Sequence, residues 1–193
     1  MKDKAQLAVF ASGTGSNYDA IDRAIKQGEL DAEVAILVCD RPGAQVIEKA
    51  EQNKVATFVF NPKDYQTKTD FEAEIAKQLR EVKVDWIVLA GYMRLVGPTL
   101  LSAYQGKMIN IHPSLLPAFP GLDAIGQALQ AGVKVSGVTI HYVDQGMDTG
   151  KIIAQQPVKI EEDMTREGLQ CKLQEVEHML YPKTIQQLIK EGE

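Results

Sequence analysis

Cysteine is scarce in this chain: there are two among 193 residues, Cys39 and Cys171, and neither lies in a C-x-x-C. No redox pair is spelled out, and buried free thiols in a reducing compartment are expected rather than a disulfide. Long apolar runs are missing too. No stretch approaches the roughly 20 residues that a transmembrane helix needs, so no membrane partner is expected. Positive charge is in deficit, with 21 Lys and Arg against 26 Asp and Glu and a net charge of −5. That argues against nucleic acid as the main partner but leaves room for a local anion site. Repeats, low-complexity tracts and linkers are absent. Lys2 and Lys4 precede Leu7-Ala8-Val9-Phe10-Ala11, but Ser12-Gly13 cuts this run off too early for a signal peptide. A first strand and a cytoplasmic location are the expectation.

What remains is an ordinary globular composition, 45% apolar and 24% charged. Its length suits a single domain, 1–193, with a phosphate-binding half over about 1–105 and a catalytic half over about 106–193. Strand and helix patterns alternate. Strands are predicted over Gln6–Ala11, Val34–Cys39, Ala56–Phe60, Trp86–Ala90 and Lys107–Asn110, several of them apolar on both faces as central parallel strands must be. Helices are predicted over Asn17–Gln27, Ala44–Asn53, Lys68–Val82 and, briefly, Pro98–Tyr104. Val135–Val143 and Lys151–Ile160 are joined by only seven residues, too few for a helical crossover, and should form an antiparallel hairpin. A last helix opens near Asp163 or Thr165, with Leu169, Leu173, Val176 and Leu180 on its apolar face, and Pro182 should kink or break it. The fold class is α/β: an open, mostly parallel, Rossmann-like sheet with helices on both faces and an antiparallel C-terminal hairpin.

The first strand runs into Gly13-Thr14-Gly15-Ser16-Asn17 and then a helix. Glycines admit a ligand close to the backbone, and free N–H groups at a helix start favour an anion. A dinucleotide fingerprint is nearly present, with Asp40 as a candidate ribose acid, but Tyr18 stands at its third glycine position. No G-K-[ST] follows, so a single phosphate fits better. The alternative is a glycine turn with Ser16 or Asn17 as helix cap.

Asn110-Ile111-His112-Pro113 ends an apolar strand, and Pro117 stiffens the exit. Strand side chains alternate with period two, so Asn110 and His112 can face the same way. An amide donor beside a group that titrates near neutrality suits acyl transfer; a histidine satisfying a buried carbonyl is the other reading. Asp148 sits between glycines in Asp144-Gln145-Gly146-Met147-Asp148-Thr149-Gly150, either as an Asx turn or folded over His112 to hold the imidazolium. Together the three residues suit attack of an amine on a carbonyl carbon. Asn110 and His112 would stabilise the oxyanion, and Asp148 would orient the imidazole. A serine hydrolase built on Ser114 lacks G-x-S-x-G, and His112, His141, Asp123 and Asp148 match no common metal-ligand spacing, so no metal is expected. His141, on an apolar strand, reads as a hydrogen-bonded core histidine.

Four motifs in order resemble the phosphoribosylglycinamide formyltransferases, a folate-dependent formyltransferase family of purine synthesis. They are Gly13–Asn17, Ala90-Gly91-Tyr92-Met93-Arg94, Asn110 through Gly121 (N-I-H-P-S-L-L-P-A-F-P-G) and Gly146–Gly150. The resemblance implies transfer of the formyl group of 10-formyltetrahydrofolate to the amine of glycinamide ribonucleotide. It implies catalysis by Asn110, His112 and Asp148, with His112 as proton donor. It puts the substrate phosphate at Gly13, Thr14, Gly15, Ser16 and Asn17, and glycinamide contact at Glu177. It puts folate against Lys68, Met93, Arg94, Leu95, Val96, Asn110 and Asp144. Lys68 stands where some members have arginine, and Leu122-Asp123-Ala124-Ile125 replaces a run that carries histidines in some members. Related tRNA formyltransferases usually have Arg-Gly at Pro120-Gly121 and an added C-terminal domain, and the deformylases an added N-terminal one; neither addition is expected here. A non-catalytic nucleotide-binding module on Gly13–Asn17 and Asp40 is the contrasting class. Monomer and homodimer are both compatible with the sequence.

Overall fold

The computed structural model describes residues 4–192, so Lys2 of the N-terminal run lies outside the described residues. Seven strands form one sheet in the order β3-β2-β1-β4-β5-β6-β7. They are β1 (Ala5–Ala11), β2 (Ala32–Cys39), β3 (Ala56–Val59), β4 (Trp86–Leu89), β5 (Met108–His112), β6 (Val135–Tyr142) and β7 (Ile152–Lys159). The first five pair in parallel, and β5–β6 and β6–β7 are antiparallel. The hairpin is therefore as expected, and the reversal starts one strand earlier.

Alternation along β1 sends Leu7, Val9 and Ala11 into one apolar cluster and Ala8 and Phe10 into another. Helices α1 (Ser16–Lys26), α2 (Gln45–Gln52) and α6 (Arg166–Glu191) cover the first face. Helices α3 (Lys68–Glu81) and α4 (Pro98–Ala103) cover the second. Thr67 and Asp70 close a reciprocal capping box at the start of α3. The chain leaves β1 toward β2 and β3 on one side, then returns to β4 on the other. Such a reversal opens a crevice at the carboxyl ends of the strands, here those of β1 and β4.

Four expectations change. The fifth strand continues past Asn110 through His112, because Ile111 packs in the core and β6 pairs with the whole segment. Helix α5 (Ala124–Ala131) was not expected; Asp123 caps it by accepting from the Gly126 N–H and Gly132 ends it in the left-handed region. Pro182 does not break α6, which runs through it, because Tyr181, Pro182 and Ile185 are all buried against the sheet. Packing of that face outweighs the missing N–H. Cys39 is buried as expected, but Cys171 is exposed, two positions past the buried Leu169 and so off the apolar stripe.

Candidate active site

Gly15 takes φ +78 at the N-cap of α1, and no side chain caps the helix. Ser16 and Asn17 thus do not serve as caps, and the N–H groups of the first turn have no side-chain acceptor. A Cβ on Gly15 would lie 2.6 Å from Val46 Cγ2, so glycine is required both by φ and by the approach of α2. Tyr18 is fully buried beneath the loop and fills the place where a third glycine would allow closer packing.

Asn110 and His112 share the face of β5 opposite Ile109 and Ile111, as period two requires. Antiparallel register places His141 directly across from Asn110 and Thr139 across from His112. The His112 Nε2 lies 2.9 Å from the Phe119 carbonyl, and its Nδ1 lies 3.3 Å from Asp148 Oδ2. Both neighbours are acceptors, so only the ring protonated on both nitrogens satisfies both. Asp148 itself sits at φ +56, a region aspartate tolerates better than most residues. The Gly121 N–H donates to its Oδ2 at 2.8 Å. Burial pushes the Asp148 carboxyl up. The His141 and Gly121 hydrogen bonds and the charge of the two imidazoles outweigh this, and the net shift is downward.

His141 is the functional neighbour that sequence reasoning missed. It is a hydrogen-bonded core histidine, as expected, since its Nδ1–H donates to the Tyr142 carbonyl at 2.9 Å. Its Nε2, however, lies 3.2 Å from Asn110 Nδ2 and 3.5 Å from Asp148 Oδ1. The only signal for this was the parity of β6 once its register against β5 is known. Thr139 anchors the exit loop by accepting from the Leu116 N–H and donating to the Ser114 carbonyl. Ser114 donates its hydroxyl to the Ala118 carbonyl at 2.6 Å, a structural use. The Asx turn belongs to Asp144, which accepts from Gly146 N–H and Thr149 Oγ1–H, and not to Asp148.

Asn110, His112, His141 and Asp148 line one cavity of about 500 Å3 that runs on to the glycine loop. Gly13–Asn17, Met93–Val96, Asn110, His112, Asp144, Asp148 and Glu177 all face it; Lys68, exposed at the first turn of α3, does not. Glu177 is not on a solvated helix face. It is 8% exposed and accepts from Asn17 Nδ2 at 2.9 Å. Burial pushes its carboxyl up, and the Asn17 bond only partly opposes this. Asn17 Oδ1 is buried with no partner. Asp123 pairs with Arg166 at 2.6 Å on the rim. Asp40 is consumed by Arg94 Nε, at 2.8 Å, and by the Ser12 hydroxyl, which leaves no free ribose acid for a dinucleotide.

Residues 5–185 match the family model described as formyl transferase. The chain belongs to the formyl transferase family. Within it, this formyl transferase is 56% identical over 184 residues to the phosphoribosylglycinamide formyltransferase of Bacillus subtilis (strain 168), covering 95% of this chain and 94% of that one. The crystal structure of glycinamide ribonucleotide transformylase 1 from Geobacillus kaustophilus superposes with a TM-score of 0.94 at 60% identity, over 96% of this chain and 98% of that chain. The human trifunctional purine biosynthetic protein adenosine-3 is 37% identical over 96% of this chain, which spans 18% of that protein's length.

Proposed function

We propose that this formyl transferase moves the formyl group of 10-formyltetrahydrofolate onto the primary amine of N1-(5-phospho-D-ribosyl)glycinamide, in purine synthesis. The products are formylglycinamide ribonucleotide and tetrahydrofolate. The observation that carries the reading is the single cavity joining an uncapped helix start to Asn110, His112 and Asp148. The similarity to enzymes named for this reaction supports it.

The phosphate sits on the N–H groups of Gly13–Asn17, where the α1 dipole favours an anion. The amine lies toward Asn17 and Glu177. It attacks the formyl carbon, a C–N bond forms, and the carbonyl oxygen becomes an oxyanion. The Asn110 Nδ2–H that makes only a long 3.4 Å contact to Asp148 is free to donate to it. His141 Nε2, 3.2 Å from the amide nitrogen, flanks it on the other side. Protonated His112 supplies the second donor and then the proton that N10 of the folate takes as its bond to the formyl carbon breaks. The Asp148 carboxylate keeps the ring charged and oriented and helps the amine proton leave through water. Met93–Val96 and Asp144 form the folate wall, and Lys68, beyond the cavity rim, meets only the folate tail.

The catalytic unit is one domain, 1–193, in two halves joined by a continuous sheet: a phosphate half over about 1–105 and a catalytic and folate half over about 106–193. It works in the cytoplasm as a monomer or homodimer and needs no metal. Among the described residues no helix is long and apolar enough to cross a membrane. Incubation with 10-formyltetrahydrofolate, with and without glycinamide ribonucleotide, tests the reading by folate absorbance. Turnover that depends on the amine is expected; equal turnover without it would identify a deformylase instead.

A further inference from the structure

Two carboxylates lie beneath the cavity wall and take no part in the chemistry above. Asp40 follows β2, and its side chain is 9% exposed. Its Oδ2 accepts from Arg94 Nε at 2.8 Å, and its Oδ1 accepts the Ser12 hydroxyl at 2.5 Å. The Ser12 oxygen in turn accepts the Met93 N–H at 3.0 Å. Glu72, on the inner side of α3, is 2% exposed, and its Oε1 accepts the Gly97 N–H at 2.5 Å. Its Oε2 is buried with no partner. The two carboxylates thus grip opposite ends of one segment, residues 93–97.

That segment's other backbone tie is at the start of α4, where the Gly97 carbonyl accepts the Leu101 N–H at 3.0 Å. Met93 and Leu95 are 69% and 48% exposed, and only Val96 is packed in the core. A Cβ on Gly97 would lie 2.7 Å from Glu72 Oε2 and 2.9 Å from Lys68 Cε, so both side chains close over that backbone. Burying a carboxylate against a single N–H is unfavourable compared with an apolar residue of similar size. Glu72 is therefore poor core material, and what it gains is a fixed backbone direction at Gly97.

We infer that Asp40, through Ser12 and Arg94, and Glu72, through Gly97, are positioning residues that hold the backbone of Met93–Val96 in the shape that receives the folate. The inference rests on the reading of that segment as the folate wall. Preorganised backbone groups bind without an ordering cost, so loosening either end should weaken folate binding more than phosphate binding, and loosening the Glu72 end should leave the glycine loop alone.

The test combines kinetics with amide hydrogen exchange. Asp40→Ala and Glu72→Ala should each raise KM for 10-formyltetrahydrofolate roughly tenfold, the size of one lost charge-assisted hydrogen bond. With Glu72→Ala, KM for glycinamide ribonucleotide and kcat should stay within about twofold, since that group meets neither that substrate nor the reacting atoms; with Asp40→Ala, whose partner Ser12 adjoins Gly13, KM for glycinamide ribonucleotide should rise less than the folate KM. Asp40→Asn and Glu72→Gln, which keep an oxygen for Ser12 and Gly97, should recover part of the loss. Ser12→Ala, a near-isosteric change, removes the Met93 tie without a buried cavity and should also raise folate KM. Exchange at the Met93 and Gly97 amides should quicken in these variants. In the wild-type protein a non-reactive folate analogue should slow exchange across 93–97. No slowing there overturns the folate-wall reading and this inference with it. Slowing in wild type together with unchanged folate KM and exchange in the variants overturns the inference alone.

Discussion

Asp148 and Glu177 are two carboxyls in one cavity with opposite environments. Asp148 is held low by imidazoles and a backbone N–H against the opposing effect of burial, and Glu177 is pushed high by burial. Asp148→Asn keeps the size but loses the charge that orients His112. It should lower kcat by roughly a hundredfold or more, in the range of general acid–base contributions, with a smaller change in substrate KM; a steady-state assay with wild-type kcat would remove Asp148 from the mechanism. The stability effects have opposite signs. The folded-state pKa of Asp148 is depressed, so its contribution is complete above the unfolded value of 3.8 and is lost as pH falls below it. The folded-state pKa of Glu177 is raised, so the unfolded chain gives up its proton first and stability declines as pH rises from 4.5 toward the folded value. Glu177→Gln should flatten that decline in urea melts taken across mildly acidic to neutral pH, while weakening glycinamide ribonucleotide binding. A melt whose pH dependence is unchanged would mean that Glu177 is already ionised at no cost.

Among the elements, the turn from β1 into α1 is the most constrained. Gly15 is fixed by its left-handed φ and by contact with Val46. Gly15→Ala should cost about 1–3 kcal/mol in stability, as a side chain forced into that region against a packed neighbour does. It should also raise KM for the phosphorylated substrate more than for folate. Chemical denaturation and two-substrate kinetics read both effects, and an unchanged melt would show that α2 yields easily. The element pattern of the sequence placed most of the strands and helices, because apolar periodicity and glycine turns are local signals. It missed α5, although Asp123 and Gly132 bracket that helix as caps. It also expected Pro182 to kink or break α6, because a missing N–H is visible locally whereas the packing of Tyr181 and Ile185 on the sheet is not.

On the scale of the whole molecule, α6 closes the site. Tyr181 donates its hydroxyl to the Leu89 carbonyl at 2.8 Å and lies 3.2 Å from that of Ile109, tying the helix to β4 and β5. Glu177 stands one helical turn before it and is thereby carried to Asn17, which lies 160 residues earlier in the chain. Tyr181→Phe should cost about 1 kcal/mol of stability, the net worth of a buried hydrogen bond, and should weaken glycinamide ribonucleotide binding with kcat little changed. Thermal melts and the KM for each substrate would show this, and a loss confined to stability would uncouple the anchor from the site. The sequence by itself determined the alternating α/β elements, the glycine turn, the shared face of Asn110 and His112, and the absence of a long apolar span. These follow from local periodicity, φ restriction and residue chemistry. Only the tertiary structure decided that His141 faces Asn110, that Asp148 rather than Asp144 meets the imidazoles, that Asp40 is spent on Arg94, and that Glu177 is buried. Each of those depends on register between strands or on contacts between distant elements, which packing sets and no local pattern records.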